Sequence, residues 1–341
     1  MLDKPFSRRI ALVTPVYNDW VSLEQLLDAI DTVPGLDDVR FHVIVVDDAS
    51  DKAPQGLALH PREWRRIEQI EVVNLVCNLG HQRAIAVGLV AATRAEGIDG
   101  AIVMDSDGED RPEDLPRLLA AAQENPWRII CARRAKRSES MRFKACYAMY
   151  KLMFRVMTGA KIGFGNFCFI PRQALDRLVH NPMLWNYLAA SIARSRIPLL
   201  TIDTIRGKRY AGQSSMNFIS LVLHGLSAIS VYADVALVRV LVGMCQLAGI
   251  TIAGMGTVAM VRLFSNLAIP GWASSVMGSL GIVLLQSLIL AAISAFMLLS
   301  ARGAKPIIPA IDATQYIQSY TPRKERRRAR PADSIPESIA I

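Results

Sequence analysis

The chain has 341 residues, enough for one large domain and something more, with 52% hydrophobic residues, 20% charged residues and a formal charge of +9. Its five cysteines (Cys77, Cys131, Cys146, Cys168, Cys245) are odd in number and lack CxxC spacing, which argues against a disulfide framework or a zinc site and fits a reducing compartment. The positive charge suits nucleic acid, anionic lipid or phosphorylated substrates, and the apolar excess between Val235 and Ser300 favours the last two.

Residues 1–10 are polar and basic without a long apolar core, so no cleaved signal peptide is expected and the N-terminal domain is expected in the cytosol. Short apolar runs then alternate with helical stretches. Residues 10–14, 41–46, 70–75 and 101–104 read as strands, and residues 22–30 and 82–95 as helices. That alternation predicts a parallel sheet covered by helices, with ligand-binding residues just beyond the strand C-termini. Residues 143–157 and 216–231 interleave apolar side chains with Lys144, Lys151 and Arg155 or run strongly apolar. They read either as core-packing helices or as helices lying in a membrane interface.

No charge occurs from residue 240 to 261, a stretch of about 33 Å as a helix, which exceeds a bilayer core of about 30 Å. Residues 275–300 supply a second span, and the connection holds Asn266, Pro270 and Gly271, a turn composition. Two buried helices of a soluble protein are the competing reading. The tail carries Arg323, Lys324, Arg326, Arg327, Arg328 and Arg330, whereas the loop between the spans is flanked by Arg262 alone. Positive residues stay inside, so tail and N-terminal domain are expected on the cytoplasmic side. The division predicted is a domain over 1–233, with interfacial helices near 143–158 and 216–233. Two transmembrane helices follow over 234–301 (about 238–261 and 275–300), then a basic, disordered cytoplasmic tail over 302–341 without a nucleic-acid role.

Chemistry concentrates at the strand ends. Asp105, Asp107 and Glu109 follow the strand at 101–104 in the run Met-Asp-Ser-Asp-Gly-Glu-Asp. Alternate residues of an extended strand end point the same way, and hard oxygen ligands suit Mg²⁺ or Mn²⁺. Asp47 and Asp48 end another strand, where a carboxylate can accept from a base N–H or a ribose hydroxyl. Pro15, Tyr17, Asn18 and Asp19 end the first strand, and Asn78-Leu-Gly-His81-Gln-Arg83 precedes a helix, suiting phosphate-directed donors or capping. The remaining histidines have no partners at metal-ligand spacing.

The ordered string P-x-Y-N, V-D-D-x-S, N-x-G and D-x-D resembles the family 2 inverting glycosyltransferases of GT-A (Rossmann-like) α/β fold, over roughly residues 8 to 233. Asn78-Leu-Gly-His-Gln82, the stretch from Cys131-Ala-Arg133 to Lys144, Arg209-Tyr-Ala-Gly-Gln-Ser214 and the two spans narrow the likeness to polyprenyl-phosphate glycosyltransferases of the bacterial inner membrane. The resemblance implies that Pro15, Tyr17, Asp19, Val46 and Asp48 line a nucleoside pocket. It implies that Asp105 and Asp107, with Ser106 contributing backbone, hold a divalent ion against a donor diphosphate. Glu109, where the family usually has Gln, is a third candidate ligand. Arg133, Lys144 and Arg209 are implied to face donor or acceptor phosphates, with Arg137 a weaker candidate. Implied partners are a UDP- or GDP-linked sugar, a polyprenyl phosphate, membrane lipids and, as in bacterial relatives, a homotetramer. Two departures stand out: Gln213-Ser-Ser215 where the family pattern has Gly-Glu-Ser-Lys, and Asn166 where many members carry Asp. A catalytically degenerate nucleotide-sugar binder is one alternative. A processive polysaccharide synthase is another, although its Q-x-x-R-W segment is absent.

Overall fold

A computed structural model of the chain describes residues 8–51, 64–134, 141–160, 162–211, 218–265 and 271–325, with the side chains of 141–148, 150, 218–222, 224 and 322–325 not described. It divides into two units. The first contains residues 8–134, 163–211 and 307–325, and the second 141–160 and 218–306.

The first unit is built on an eight-stranded mixed sheet. Its strands are β1 (Arg8–Val16), β2 (Val39–Asp47), β3 (Ile67–Leu75), β4 (Gly100–Val103), β5 (Ile129–Arg134), β6 (Cys168–Pro171), β7 (Leu199–Thr204) and β8 (Ile317–Glu325). The spatial order is β7-β5-β6-β4-β1-β2-β3-β8. The central strands β4, β1, β2 and β3 pair in parallel, so their C-terminal ends open on the same edge. Helices α1 (Trp20–Thr32), α2 (His81–Arg94), α3 (Leu115–Glu124), α5 (Arg172–Val179) and α6 (Leu188–Arg194) cover the two faces, α4 (Met141–Thr158) lying in the second unit.

Both faces of the sheet are dry, which is why its strands read as near-continuous apolar runs. In β1, Ala11 and Val13 join the core beneath α2, while Ile10 and Leu12 join the core beneath α1 and α3, the alternation of period two. The same alternation runs through β2, with Ile44 and Val46 on the α2 side and Val43 and Val45 on the other. The Val46 side chain is therefore fully buried in the core, so only its backbone is left to border a nucleoside pocket.

The tail is the main correction. Residues after 302, expected to be disordered, form α10 (Pro309–Asp312), a short 3₁₀ turn and β8, which adds antiparallel to β3 with Val72 opposite Thr321 and Val73 opposite Tyr320. Ala313 is fully buried in the α2-side core. The ring of Tyr316 lies 5.2 Å from that of Trp185, and Asn74 Nδ2 donates to Ser319 Oγ at 2.9 Å. The run 317–321 is uncharged and includes Ile317, Tyr320 and Thr321, and it covers an edge of β3 that otherwise exposes unpaired backbone groups. The Arg326–Arg330 part of the basic tail lies outside the described residues.

The second unit holds α4, α7 (Phe218–Ser230), α8 (Ala233–Phe264) and α9 (Trp272–Gly303). The last two are 32 residues each and are long and apolar enough to cross a membrane, with mean hydropathy 2.0 and 2.5 over their most apolar stretches. Only 17% and 11% of those stretches are buried, so Ile250, Ile252, Phe296 and Leu299 face outward and these are not core helices of a soluble domain. They pack on each other through small side chains, Ala248 and Thr251 on α8 and Ser287, Ala291 and Ser294 on α9. Each hydroxyl bonds a carbonyl of its own helix, as Thr251 does to Leu247 at 2.8 Å, so no buried polar group is left open. Arg239 of α8 donates to the Val156 carbonyl at 2.7 Å and so closes the C-terminus of α4, where a cation also meets the helix dipole.

Burial of Ala313 supplies a direct check on the tail. Ala313→Arg is expected to lower stability by about 3 kcal/mol by forcing a charge into the core. Thermal unfolding of purified protein measures this, and an unchanged melting temperature would mean that the segment is not part of the domain.

Candidate functional site

The C-terminal ends of β1, β2 and β4 lie side by side, so the loops that follow them converge. After β1, Pro15 is buried, Tyr17 is 52% exposed, and Asn18 adopts a left-handed backbone (φ 56) with its amide donating to Ser50 Oγ at 2.9 Å. Ser50 is in turn fixed by its own amide donating to Asp47 Oδ1 at 3.0 Å. Asp19 is half-buried and precedes α1 without a side-chain capping bond. These residues lie at the C-terminal ends of β1 and β2, where the Tyr17 side chain is exposed.

Asp48, expected in the nucleoside pocket, is engaged by backbone amides. Its Oδ1 accepts from the Leu79 amide at 2.7 Å and its Oδ2 from the Gly80 amide at 3.0 Å. It is 4% exposed, and burial raises its carboxyl above the usual range while the two amides pull it back down. Asp48 therefore clamps the loop that delivers His81 to the start of α2, and both its oxygens are engaged there.

Beyond β4 the acids gather. His81 Nε2 stands 3.3 Å from Asp105 Oδ1. Burial opposes protonation of His81, and the charges of Asp105, Asp107 and Asp110 outweigh it and raise the imidazole above its ordinary value. Asp107 Oδ1 accepts from the Glu109 amide at 2.9 Å, and its Oδ2 faces Arg209 Nη2 at 3.3 Å. Burial, then the neighbouring Asp105 and Glu109, push the Asp107 carboxyl up against the pull of that amide and Arg209. Ser106 is buried, its hydroxyl 3.5 Å from the Pro15 carbonyl, the long limit of a hydrogen bond.

Glu109 does not join Asp105 and Asp107. Its Oε1 accepts from Arg206 Nη2 at 2.6 Å and its Oε2 from Arg206 Nε at 3.1 Å, with Arg134 Nη1 3.4 Å away. A bidentate guanidinium occupies the carboxylate, so a metal-ligand role for Glu109 would require it to leave Arg206. Among the described residues no group of three His, Cys, Asp or Glu is arranged to hold an ion by itself. Two aspartates with open positions for water and phosphate oxygens is nonetheless the donor set that Mg²⁺ and Mn²⁺ take at substrate phosphates.

Sequence reasoning missed Asp110 and Arg134. Asp110, 5% exposed, accepts from the Asp105 amide at 3.2 Å and from Arg134 Nη2 at 3.0 Å. Burial and the charge of Asp105 push it up to about 7, against Arg134. The signal was strand alternation: Arg133 and Arg134 end β5 and must point to opposite faces. Arg133 Nε donates to Asp203 Oδ1 at 2.7 Å across the β5–β7 ladder, on the exposed face, and Arg134 turns to the acids. Arg133 thus meets an acid rather than the Asp105–Asp107 cluster. Lys144 lies in α4, with its side chain outside the described residues, as are Arg137 and Gln213-Ser-Ser215.

The segment after β7 is stitched to the acidic loop through its backbone. Gly207 donates to the Glu109 carbonyl at 2.8 Å and Tyr210 to the Asp107 carbonyl at 2.9 Å. This needs glycine twice. Gly108 has φ +84 and the Tyr210 ring where a Cβ would go, and a Cβ on Gly207 would strike the Gly108 carbonyl.

Asp48→Asn is expected to cost about 2 kcal/mol, because the amide presents N–H to one of two backbone donors. Faster hydrogen exchange at Leu79 and Gly80, with little change in β1, would register the loss, and unaltered protection at those two amides would contradict the clamp.

Residues 11–179 match the family model described as Glycosyl transferase family 2. The chain is 30% identical over 227 residues to the undecaprenyl-phosphate 4-deoxy-4-formamido-L-arabinose transferase of Proteus mirabilis, a match covering 63% of this chain and 64% of the relative, so it spans just under two thirds of that protein's length. It is 23% identical over 287 residues to YkcC of Bacillus subtilis, an uncharacterised glycosyltransferase, covering 81% and 85% of the two chains. It is also similar, at 16% identity and a TM-score of 0.47 over 67% of this chain and 80% of the other, to glucosyl-3-phosphoglycerate synthase of Mycobacterium tuberculosis, crystallised with Mn²⁺, UDP-glucose and phosphoglyceric acid. Residues 11–179, which contain all four clustered acids after β4, are a glycosyl transferase family 2 domain.

Proposed function

We propose that the protein transfers a sugar, with inversion, from a UDP- or GDP-linked donor to a polyprenyl phosphate at the cytoplasmic face of a bacterial inner membrane. The observation that carries this reading is the pair Asp105 and Asp107 held at the end of β4, with Arg209 Nη2 3.3 Å from Asp107 Oδ2. Similarity to the Proteus undecaprenyl-phosphate transferase supports the acceptor class.

Asp105 and Asp107 would hold Mg²⁺ or Mn²⁺, which supplies charge neutralisation for the departing diphosphate. Asp110 keeps the Asp105 backbone in register, and Asp48 keeps His81 and the 78–80 loop beside it. An acceptor phosphate oxygen attacks the anomeric carbon as the bond to the diphosphate breaks and its electron pair leaves with the nucleotide. That acceptor is already ionised, so the chain has to position it rather than deprotonate it. Tyr17 would stack on a base, and Arg133 would leave Asp203 to meet a donor or acceptor phosphate.

The long lipid tail of such an acceptor suits the second unit. On α4, Met149, Leu152, Met153 and Val156 are exposed beside Lys151 and Arg155, and on α7 Leu223 and Leu226 are exposed. That mixture fits helices lying at headgroup level. With α8 and α9 as spans, an even number of crossings would leave both flanks of the hairpin on one side of the bilayer, in agreement with the basic tail.

Purified protein in detergent, given labelled nucleotide sugars, polyprenyl phosphate and Mg²⁺ or Mn²⁺, should yield extractable lipid-linked sugar. Asp107→Ala should lower the rate by at least about 10³-fold. Donor binding without turnover across a broad panel would instead favour a binding-only protein. A reporter fused after Ile341 should behave as cytoplasmic, and a periplasmic signal would contradict the two-span arrangement.

A further inference from the structure

We propose that Arg209 is a built-in counter-cation for Asp107, which neutralises that carboxylate until a divalent ion and a diphosphate arrive together and then transfers its guanidinium to the diphosphate. This rests on the metal-binding reading of Asp105 and Asp107 given above, and it adds an order of events and a residue responsible for it.

The three guanidiniums around the acidic loop are not equivalent. Arg206 spends two donors on Glu109, and Arg134 reaches both Asp110 and Glu109. These two are locked by carboxylates that have no other task. Arg209 instead has a single 3.3 Å approach to Asp107 Oδ2, while its Nε is buried with no hydrogen-bond partner among the described residues. An unmet donor under cover is costly unless something accepts from it, and a guanidinium presents its donors in a planar fork that matches phosphate oxygens.

The backbone confines this freedom to the side chain. Tyr210 and Gly207 are hydrogen-bonded to the carbonyls of Asp107 and Glu109, so the 207–210 segment moves with the acidic loop. The other Asp107 oxygen is taken by the Glu109 amide, leaving Oδ2 as the place where a mobile positive charge is exchanged. A divalent ion arriving alone meets Arg209 on that oxygen and displaces it with no acceptor to receive it. An ion arriving with a diphosphate supplies the acceptor. Ion and nucleotide must therefore bind with positive coupling, felt equally by each.

The test is Mn²⁺ binding, read from the electron paramagnetic resonance signal of the free ion, with and without UDP or GDP, and with circular dichroism to confirm folding. Arg209→Gln should bind Mn²⁺ alone roughly tenfold more tightly than the unaltered protein, because a like charge has been removed. Nucleotide should then strengthen its Mn²⁺ binding by a smaller factor. Arg209→Lys keeps the charge without the fork, so its Mn²⁺ affinity alone should match the unaltered protein while the coupling to nucleotide falls about fivefold; it carries the test if the glutamine variant does not fold. Unchanged or weaker Mn²⁺ binding in Arg209→Gln, or full coupling in Arg209→Lys, overturns the proposal and leaves the metal site standing. Mn²⁺ binding that survives Asp107→Asn at full strength, or is absent from the unaltered protein even with nucleotide, overturns both.

Discussion

Asp105, Asp107, Glu109 and Asp110 fall within six consecutive positions at the end of one strand, and two unit charges 4 Å apart repel by about 4 kcal/mol at the effective dielectric of a protein surface. Such a loop holds its shape only if cations are brought to it from elsewhere. Arg134 comes from the last residue of β5, and Arg206 and Arg209 come from the segment after β7. The outer strands of the sheet are thus a means of delivering positive charge to β4. Four carboxylates thus meet three guanidiniums, Arg134, Arg206 and Arg209. Where negative charge remains after the fold has supplied its own cations, a further cation is favoured.

The same edge is constrained from the other side by the tail. The Val76 amide donates to the Tyr316 carbonyl at 3.0 Å, and Arg83 of α2 stacks 5.9 Å above the Trp185 ring that Tyr316 also touches. The loop between β3 and α2 is therefore held by Asp48 at its far end and by the tail at its near end. Residues 233–303 leave this domain and 307–325 come back to it, which makes the apolar hairpin an insertion between two parts of one sheet.

The parallel core was legible because each central strand is buried on both faces, and a run such as Ile10-Ala-Leu-Val leaves no other reading. Strand ends shifted by one to three residues, as β3 did to Ile67, because pairing with β2 extends a strand past its apolar run. The apolar hairpin was legible from the absence of charge. β8 was not, since a strand of mixed polarity on a sheet edge is stabilised by the edge it covers and carries little pattern of its own. In the site, Asp105 and Asp107 were visible as a motif, but the partners that redirect Glu109 and Asp48 were not. Those partners lie 25 to 97 residues away for Glu109 and are two backbone amides for Asp48, which no side-chain pattern records.

Asn166 shows how such a partner can make sense of a departure. The Leu188 amide donates to Gln82 Oε1 at 2.9 Å, so the Gln82 amide nitrogen must face Asn166, and it meets Asn166 Oδ1 at 3.2 Å. That in turn turns Asn166 Nδ2 toward His81 Nε2, 3.1 Å away. A backbone N–H, whose direction is fixed, therefore orients three side chains in succession. Position 166 has to accept from one neighbour and donate to the next, which an ionised aspartate cannot do. With Asp there, His81 would need a proton on Nε2 to satisfy two carboxylates at once. With Asn, the Nε2 of His81 has one carboxylate beside it, that of Asp105, and the side-chain amide of Asn166 as its second neighbour.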